Sequence, residues 1–509
     1  MAAPVTAVSG SDEALRDRLI AEFRRRKNAA TTADLVAATG LPVDRVSAEL
    51  PSISDEYGAR LRVTESGEIL WSFPEGMKSR LRGFGPGLRR FWKGFRKGFV
   101  TVATFFFKAW IAVMLVGYFA LFILLALVAL LASIAMKTAG RGDSDGDEGG
   151  GAIGLFLSGR VIGMIFDIWF YSELFKDPRQ RQWEHDRKAQ KRREGRPLHK
   201  AIFSFVFGEP DPNAGWDETE RKTVVAFLQA NKGLLTMPEF RALTGLSPLK
   251  AESRINRYLS DFKGNPEVSE AGTVLFAFPD LLRRAERSDG TFGQSIPLKQ
   301  TEVFSANKGK MNSWFAIINL VNIAFGSYFI AGAILPHHVK TVIYRGREVV
   351  QAGWDYLYLI TSGLAKMFFD LPNPSLALGI GLGVVPVTFG LLFYGIPALR
   401  NLRLKRRNEA IKVENLRRFV YPAILDKPIG FRPEGVAPTL EAANPADKGA
   451  RDRIVTELAA AEGGEPGSDG GWTWTSIVRA KQDVAKARAA VKTGSTELGK
   501  TVFDSHDGG

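Results

Sequence analysis

The chain has 509 residues, 45% of them apolar, a formal net charge of +14 and no cysteine. That length allows about two to four domains. The missing cysteine excludes disulfides, thiolate nucleophiles and cysteine-ligated metals, and the basic excess points to nucleic acid or an anionic membrane surface as partner.

Residues 1–15 are small and polar, with no apolar core behind a basic start, so no signal peptide is expected at this end. Residues 16–74 then align without a gap to residues 221–279, with 14 identities in 59 positions. Chance alone gives roughly 3 to 4. Each copy reads as three helices and a hairpin. Leu19, Ile20 and Phe23 mark the first helix, matched by Val224, Val225 and Leu228. Gly40 and Gly245 close a short second helix. Leu50, Ile53 and Tyr57 form the apolar stripe of the third helix, matched by Ile255, Tyr258 and Phe262. Two alternating runs follow, turning at Ser66-Gly67 and Ala271-Gly272. This element order resembles the winged-helix superfamily, with copies over 13–76 and 216–282.

A DNA-reading third helix needs cations facing phosphates. The first copy offers Asp44, Glu49, Asp55 and Glu56 against Arg45, the wrong sign. The second offers Lys250, Arg254 and Arg257, candidates for contact with nucleic acid or with a protein partner. Protein docking ranks ahead of DNA for both copies.

Between the copies, residues 77–98 hold eight Lys or Arg and no acid. Arg89, Arg90, Trp92, Lys93, Arg96 and Lys97 interleave charge and aromatics, as expected of a segment lying on an anionic leaflet. A hairpin of spans over 99–175 comes next: residues 109–136 carry no charge until Lys137, and residues 152–175 form a weaker span with Arg160, Asp167 and Glu173. Arg160 and Asp167 share a helix face. Their readings are a buried polar pair or, more sharply, an ion path. A basic linker, 176–215, leads into the second copy, and a further linker, 283–312, leaves it.

The second hairpin, 313–399, has charge-free spans at 313–335 and 375–399 around an outer loop, 336–374. Within that loop, 340–350 reads as a short hairpin and 351–369 as an interfacial helix. Asn319 and Asn322 are expected to bond between helices, while Gly379, Gly381, Gly383 and Pro386 permit close packing and a kink. His337-His338 stands alone, with no carboxylate within a few residues, which disfavours a metal site. Residues 400–425 read as a basic juxtamembrane helix and 426–509 as a flexible C-terminal tail, with a short basic helix at 472–492.

Windows 77–98, 176–200 and 400–418 hold eight, ten and eight basic residues, against two in the acidic loop 137–151. The positive-inside rule puts the basic windows and both termini in the cytoplasm of a multi-pass inner-membrane protein. The fold expected is mainly α, with two small winged-helix-like α+β domains alternating with two pairs of transmembrane helices.

Two patterns carry a resemblance. Thr-Gly-Leu precedes the third helix at Thr39 and Thr244, and Glu-x-Gly-x-x-Leu-x-x-Phe-Pro closes the wing from Glu65 and from Glu270. With the paired spans behind them, residues 16–425 resemble an uncharacterised family of cyanobacterial and chloroplast membrane proteins. The resemblance implies a membrane location and no activity.

No phosphate loop, nucleophile elbow or metal cluster stands in the sequence, so neither an enzyme nor a cofactor is expected. The leading function is a membrane scaffold or regulator that docks a cytoplasmic protein partner, with membrane lipids as the other contact. A membrane-tethered DNA-binding regulator and an oligomeric transporter or ion channel, which requires a homo-oligomer, are the alternatives.

Overall fold

The computed structural model describes residues 9–78, 84–139, 197–284, 296–337, 340–344, 347–351, 353–433, 448–491 and 499–505. The chain divides into two compact bodies. A polar body comprises Met1–Lys93, Pro210–Glu302 and Lys405–Gly509, and an apolar body comprises Gly94–Glu209 and Val303–Leu404.

The polar body opens with a module of α1 (Ser9–Arg25), β1 (Ala29–Ala30), α2 (Thr32–Thr39), α3 (Val43–Tyr57), β2 (Arg60–Thr64) and β3 (Ile69–Ser72). Helix α2 starts where Thr31 and Asp34 form a capping box and ends at Gly40, whose φ of 67° suits a residue without Cβ. The short strand β1 adds to the hairpin expected from the sequence and pairs antiparallel with β3.

The chain returns to this body after α4 (Phe84–Ala112), α5 (Tyr118–Ala139) and α6 (Leu198–Phe207). The second module has α7 (Trp216–Ala230), β4 (Leu234–Thr236), α8 (Met237–Thr244), α9 (Pro248–Asp261), β5 (Asn265–Val268) and β6 (Val274–Ala277). Its capping box, Thr236 with Glu239, and its closing Gly245 stand where Thr31, Asp34 and Gly40 stand in the first. Strand order is β1-β3-β2 in one and β4-β6-β5 in the other. One apolar core runs through both modules, from Phe23, Leu50 and Ile53 to Leu228, Ile255 and Phe278.

The apolar body contains α10 (Met311–Ile334), the hairpin β7 (Lys340–Tyr344) with β8 (Arg347–Gln351), α11 (Tyr356–Phe369) and α12 (Pro374–Leu378). The long helix α13 (Val385–Asp426) begins in this body and ends in the polar one. Among the described residues three helical stretches are long and apolar enough to cross a membrane: Gly98–Ile134, Met311–Ile334 and Pro374–Asp426. The fourth expected span, 152–175, lies outside the described residues. The expected boundary at residue 98 is not a break, because α4 runs through it, and the juxtamembrane helix is the continuation of the last span.

Asn322 donates to the Leu115 carbonyl at 2.7 Å and Asn319 to the Gly390 carbonyl at 3.0 Å, the interhelical bonds expected of them. Gly326 and Gly383 lie where a Cβ would press on Val387 and Ile330, so small residues set the helix spacing. A π-helical turn runs over Gly379–Val384, just before Pro386, and a second lies between α4 and α5 at Val113–Gly117.

The expected flexible tail is largely folded. Residues 448–491 form α14 (Lys448–Glu462), the hairpin β9 (Glu465–Pro466) with β10 (Trp472–Thr473) and α15 (Thr475–Ala490). Gly463, Asp469 and Gly470, part of the composition that suggested a linker, serve the turns of this unit. Trp474 is fully buried among Phe431, Ile454, Leu458 and Ile477. Beyond it, β11 (Thr501–Asp504) joins the first module's sheet beside β2.

This C-terminal unit repeats the local geometry of the first two modules. Val420, Tyr421 and Ile424 are buried at the spacing of Leu19, Ile20 and Phe23 and of Val224, Val225 and Leu228. After the helix that precedes each hairpin, Ala59, Gly264 and Gly464 each donate to the carbonyl five residues back. The hairpin turns at Gly67, Gly272 and Gly470, with φ of 78°, 83° and 79°. Phe73, Phe278 and Trp474 donate to the Asn28, Gly233 and Pro428 carbonyls at 2.8, 2.8 and 2.9 Å. The glycine closing α2 sits on α7 beside the Glu218 carbonyl, and the one closing α8 sits on α13 beside the Glu414 carbonyl.

Candidate functional site

Of the three cations singled out on the second module's third helix, the structure turns one inward. Arg254 Nε donates to Glu220 at 3.0 Å and a terminal nitrogen to Asp217 at 2.7 Å. Glu220 is buried on α7 and also accepts from the Tyr258 hydroxyl and the Trp216 indole, each at 3.3 Å. Arg254 is thus the counter-ion of a buried carboxylate. Burial pulls its guanidinium down, but the charges and hydrogen bonds of Glu220 and Asp217 together hold it above the usual arginine range. Arg257 remains exposed, 3.8 Å from Asp261 one turn on. Lys250 is exposed beside a cavity of about 340 Å³ lined also by Ser247, Glu409, Glu414 and Arg417, whose mixed charges do not select for phosphate. Lys263, at the end of this helix, pairs with Asp44 of the first module at 3.1 Å.

Asp217 is held below the usual carboxylate range, first by the hydrogen bond from Arg254, against a smaller opposing effect of burial. A depressed carboxylate stabilises the fold above its unfolded value, here near 3.8, and that contribution is lost as pH falls through the lower folded value. Asp217→Asn is therefore expected to lower the melting temperature across the neutral region and to flatten its fall below pH 3.8, so that parent and variant converge in acid, as read by melting temperature against pH.

The six lipid-surface candidates, Arg89, Arg90, Trp92, Lys93, Arg96 and Lys97, lie on α4, and their side chains are outside the described residues. Arg160 and Asp167 are outside them altogether.

Three arrangements were not visible in the sequence. Arg60 and Arg62 on β2 both donate to Asp504, at 2.7 and 3.1 Å, across more than 440 residues of chain. His337 Nδ1 lies 3.1 Å from the buried Asp355 carboxylate, and its ring stacks on Tyr358 at 5.2 Å. Asp355 is 18 residues away in sequence, which hid it from a search for neighbouring carboxylates. Arg400 closes the end of α6, donating to the Phe205 and Phe304 carbonyls at 3.0 and 2.7 Å. No group of three or more His, Asp or Glu converges as a metal site among the described residues.

No family model matches the chain. No solved structure matches it either. It is 25% identical over 271 residues to an uncharacterized chloroplastic protein of Arabidopsis thaliana, covering 51% of this chain. The chain spans about half the length of that relative, 47%. This similarity fits the resemblance to chloroplast-type proteins seen in the sequence.

Proposed function

We propose that this chain is a non-enzymatic membrane scaffold or regulator whose extramembrane modules are winged-helix-like domains that dock protein partners. The observation that carries the reading is the inward turn of Arg254, which leaves the second module's third helix without a basic stripe. The surface around it is instead apolar and mixed in charge: Leu249 is 79% exposed and Val268 71%. Exposed apolar groups beside paired charges suit a protein face better than a phosphate backbone. In this reading the shared turn and capping geometry makes the C-terminal unit a third winged-helix-like copy, and the family is one of cyanobacteria and chloroplasts.

The proposed topology puts both termini and all three copies in the cytoplasm, with anionic lipid headgroups contacting the basic segment before the first span. It requires 152–175 to cross the bilayer, so that the second copy returns to the side of the first. Reporters active only outside the cytoplasm, fused after Gly146, Gly290 and Gly435, test it. The first should be active and the other two silent; activity after Gly290 removes cytoplasmic docking by the second module. Crosslinking in intact membranes, followed by purification in detergent, should recover a protein that contacts the modules. Recovery of duplex DNA instead, with affinity falling steeply with salt, would favour the DNA-binding alternative.

A further inference from the structure

The outer edge of β2 is occupied by the chain's own C-terminal segment. Strand β11 pairs antiparallel with it, Thr501 opposite Thr64 and Asp504 opposite Arg62. Glu65 N–H donates to the Lys500 carbonyl at 2.9 Å, Ser505 N–H to the Leu61 carbonyl at 3.0 Å, and Leu61 N–H to the Ser505 hydroxyl at 3.0 Å. Arg60 and Arg62, two apart on a strand and hence on one face, each take one oxygen of the Asp504 carboxylate. The apolar side chains of the added strand contribute little to this attachment, since Val502 and Phe503 are 69% and 56% exposed.

The second module shows what the edge looks like when it is not built to receive a strand. Arg60 and Arg62 correspond there to Asn265 and Glu267, and between them stands Pro266, which has no N–H to give a partner strand. Among the described residues its sheet ends at β5. A proline and an acid at an edge are ordinary protection against strand addition. The first module lacks both and carries two cations instead.

We propose that the outer edge of β2 is a binding site for an extended protein segment carrying an Asp-Ser pair, and that residues 499–505 are its resident occupant, displaced when a partner presents such a segment. Recognition is by strand addition: backbone bonds supply attachment, and the Arg60–Arg62 pair reads the aspartate. Tethering the occupant to the chain raises its local concentration and keeps the edge closed to weak competitors. The inference deepens the docking reading by naming the surface and the chemistry of its ligand.

The test uses the detergent-purified full chain, a form ending at Leu498, and a fluorescent peptide, Gly-Lys-Thr-Val-Phe-Asp-Ser, copied from residues 499–505. The shortened form should bind the peptide at least about tenfold more tightly than the full chain, whose tail competes. Asp504→Arg in the peptide should cost about tenfold or more, and Arg60→Glu with Arg62→Glu in the shortened form should recover it. Equal binding by the two forms, or indifference to Asp504→Arg, overturns the proposal. Should the shortened form misfold, amide exchange in the full chain decides. Asp504→Arg should speed exchange at Leu61 and Glu65 by about tenfold or more and leave β6 unchanged, and no acceleration overturns the site. Peptide binding uses the purified chain alone. Its failure with partners still recovered by crosslinking sinks the edge, while peptide binding without any partner sinks the docking reading.

Discussion

Arg254→Ala is expected to destabilise the second module by about 3–5 kcal/mol, the cost of leaving a buried carboxylate without its cation. Glu220 is 3% exposed and among the described residues would retain the Tyr258 hydroxyl and the Trp216 indole, two neutral donors at 3.3 Å. The effect should spread, because Tyr258 packs on Phe240 and Phe262 in the core shared with the first module. Arg254→Lys keeps the charge but cannot reach Glu220 and Asp217 at once, so a smaller loss is expected. Arg257→Ala is the control: exposed, with one long ion pair, it should stay within about 0.5 kcal/mol of the parent. Thermal unfolding of the full chain in detergent and amide exchange along α9 read both effects. A stable Arg254→Ala protein that had lost nucleic-acid affinity would reverse the assignment and restore the DNA-binding alternative.

The same residue shows where the sequence ceased to be legible. Its neighbours on the stripe, Ile255 and Tyr258, announce themselves by spacing, and both are buried. Arg254 lies between stripe and surface, and its side is decided by Glu220, on a helix 34 residues earlier. A local count of charges on one helix therefore overstated the cations available to a partner. The glycines that close α2 and α8 were readable, because a left-handed residue after an apolar run has few other uses. Strands β1 and β4 were not, being two and three residues long and defined only by the return of a hairpin strand against them.

Composition misled more than periodicity did. Pro, Gly, Ala and Asp between residues 426 and 471 resemble a linker, yet Gly463, Gly470 and Asp469 do the work of turns in a folded unit. The gapless comparison that joins the first two modules by a constant offset of 205 cannot find the third. From Gly272 to Gly470 the offset is 198, while from Gly264 to Gly464 it is 200, so spacing drifts within the unit. Searching for the hairpin turn alone, a glycine followed by aromatics two or four residues on, would have placed Trp472 and Trp474 beside Trp71 and Phe276. Charge-free runs find the helices that are long and apolar enough to cross a membrane, but the π-helical turns at Val113–Gly117 and Gly379–Val384, both packed against α10, leave no local signal.

Whether the C-terminal unit is a domain or an ordered tail can be decided at Trp474. Its indole is fully buried, stacked near Trp472 at 6.1 Å and edge-on to Phe431 at 6.0 Å, with the backbone of Gly464 pressed against it. Trp474→Ala removes the largest side chain of this core and leaves a cavity that Ile454, Leu458 and Ile477 cannot fill from their helices. A loss of about 3–5 kcal/mol is expected. Small cores have little stability in reserve, so this should unfold α14, β9, β10 and α15 together and open 448–491 to protease while the first two modules stay resistant. Trp474→Phe keeps a ring against Phe431 and should cost much less. A flexible segment would tolerate either change within about 0.5 kcal/mol, with protease cutting 448–491 equally fast in parent and variants. Release of 448–491 should also loosen the clasp on β2, since β11 follows it in the chain. Amide protection at Leu61 and Glu65 would then fall in Trp474→Ala without any change in Asp504, Arg60 or Arg62, linking the folding of the last unit to occupancy of the first module's edge.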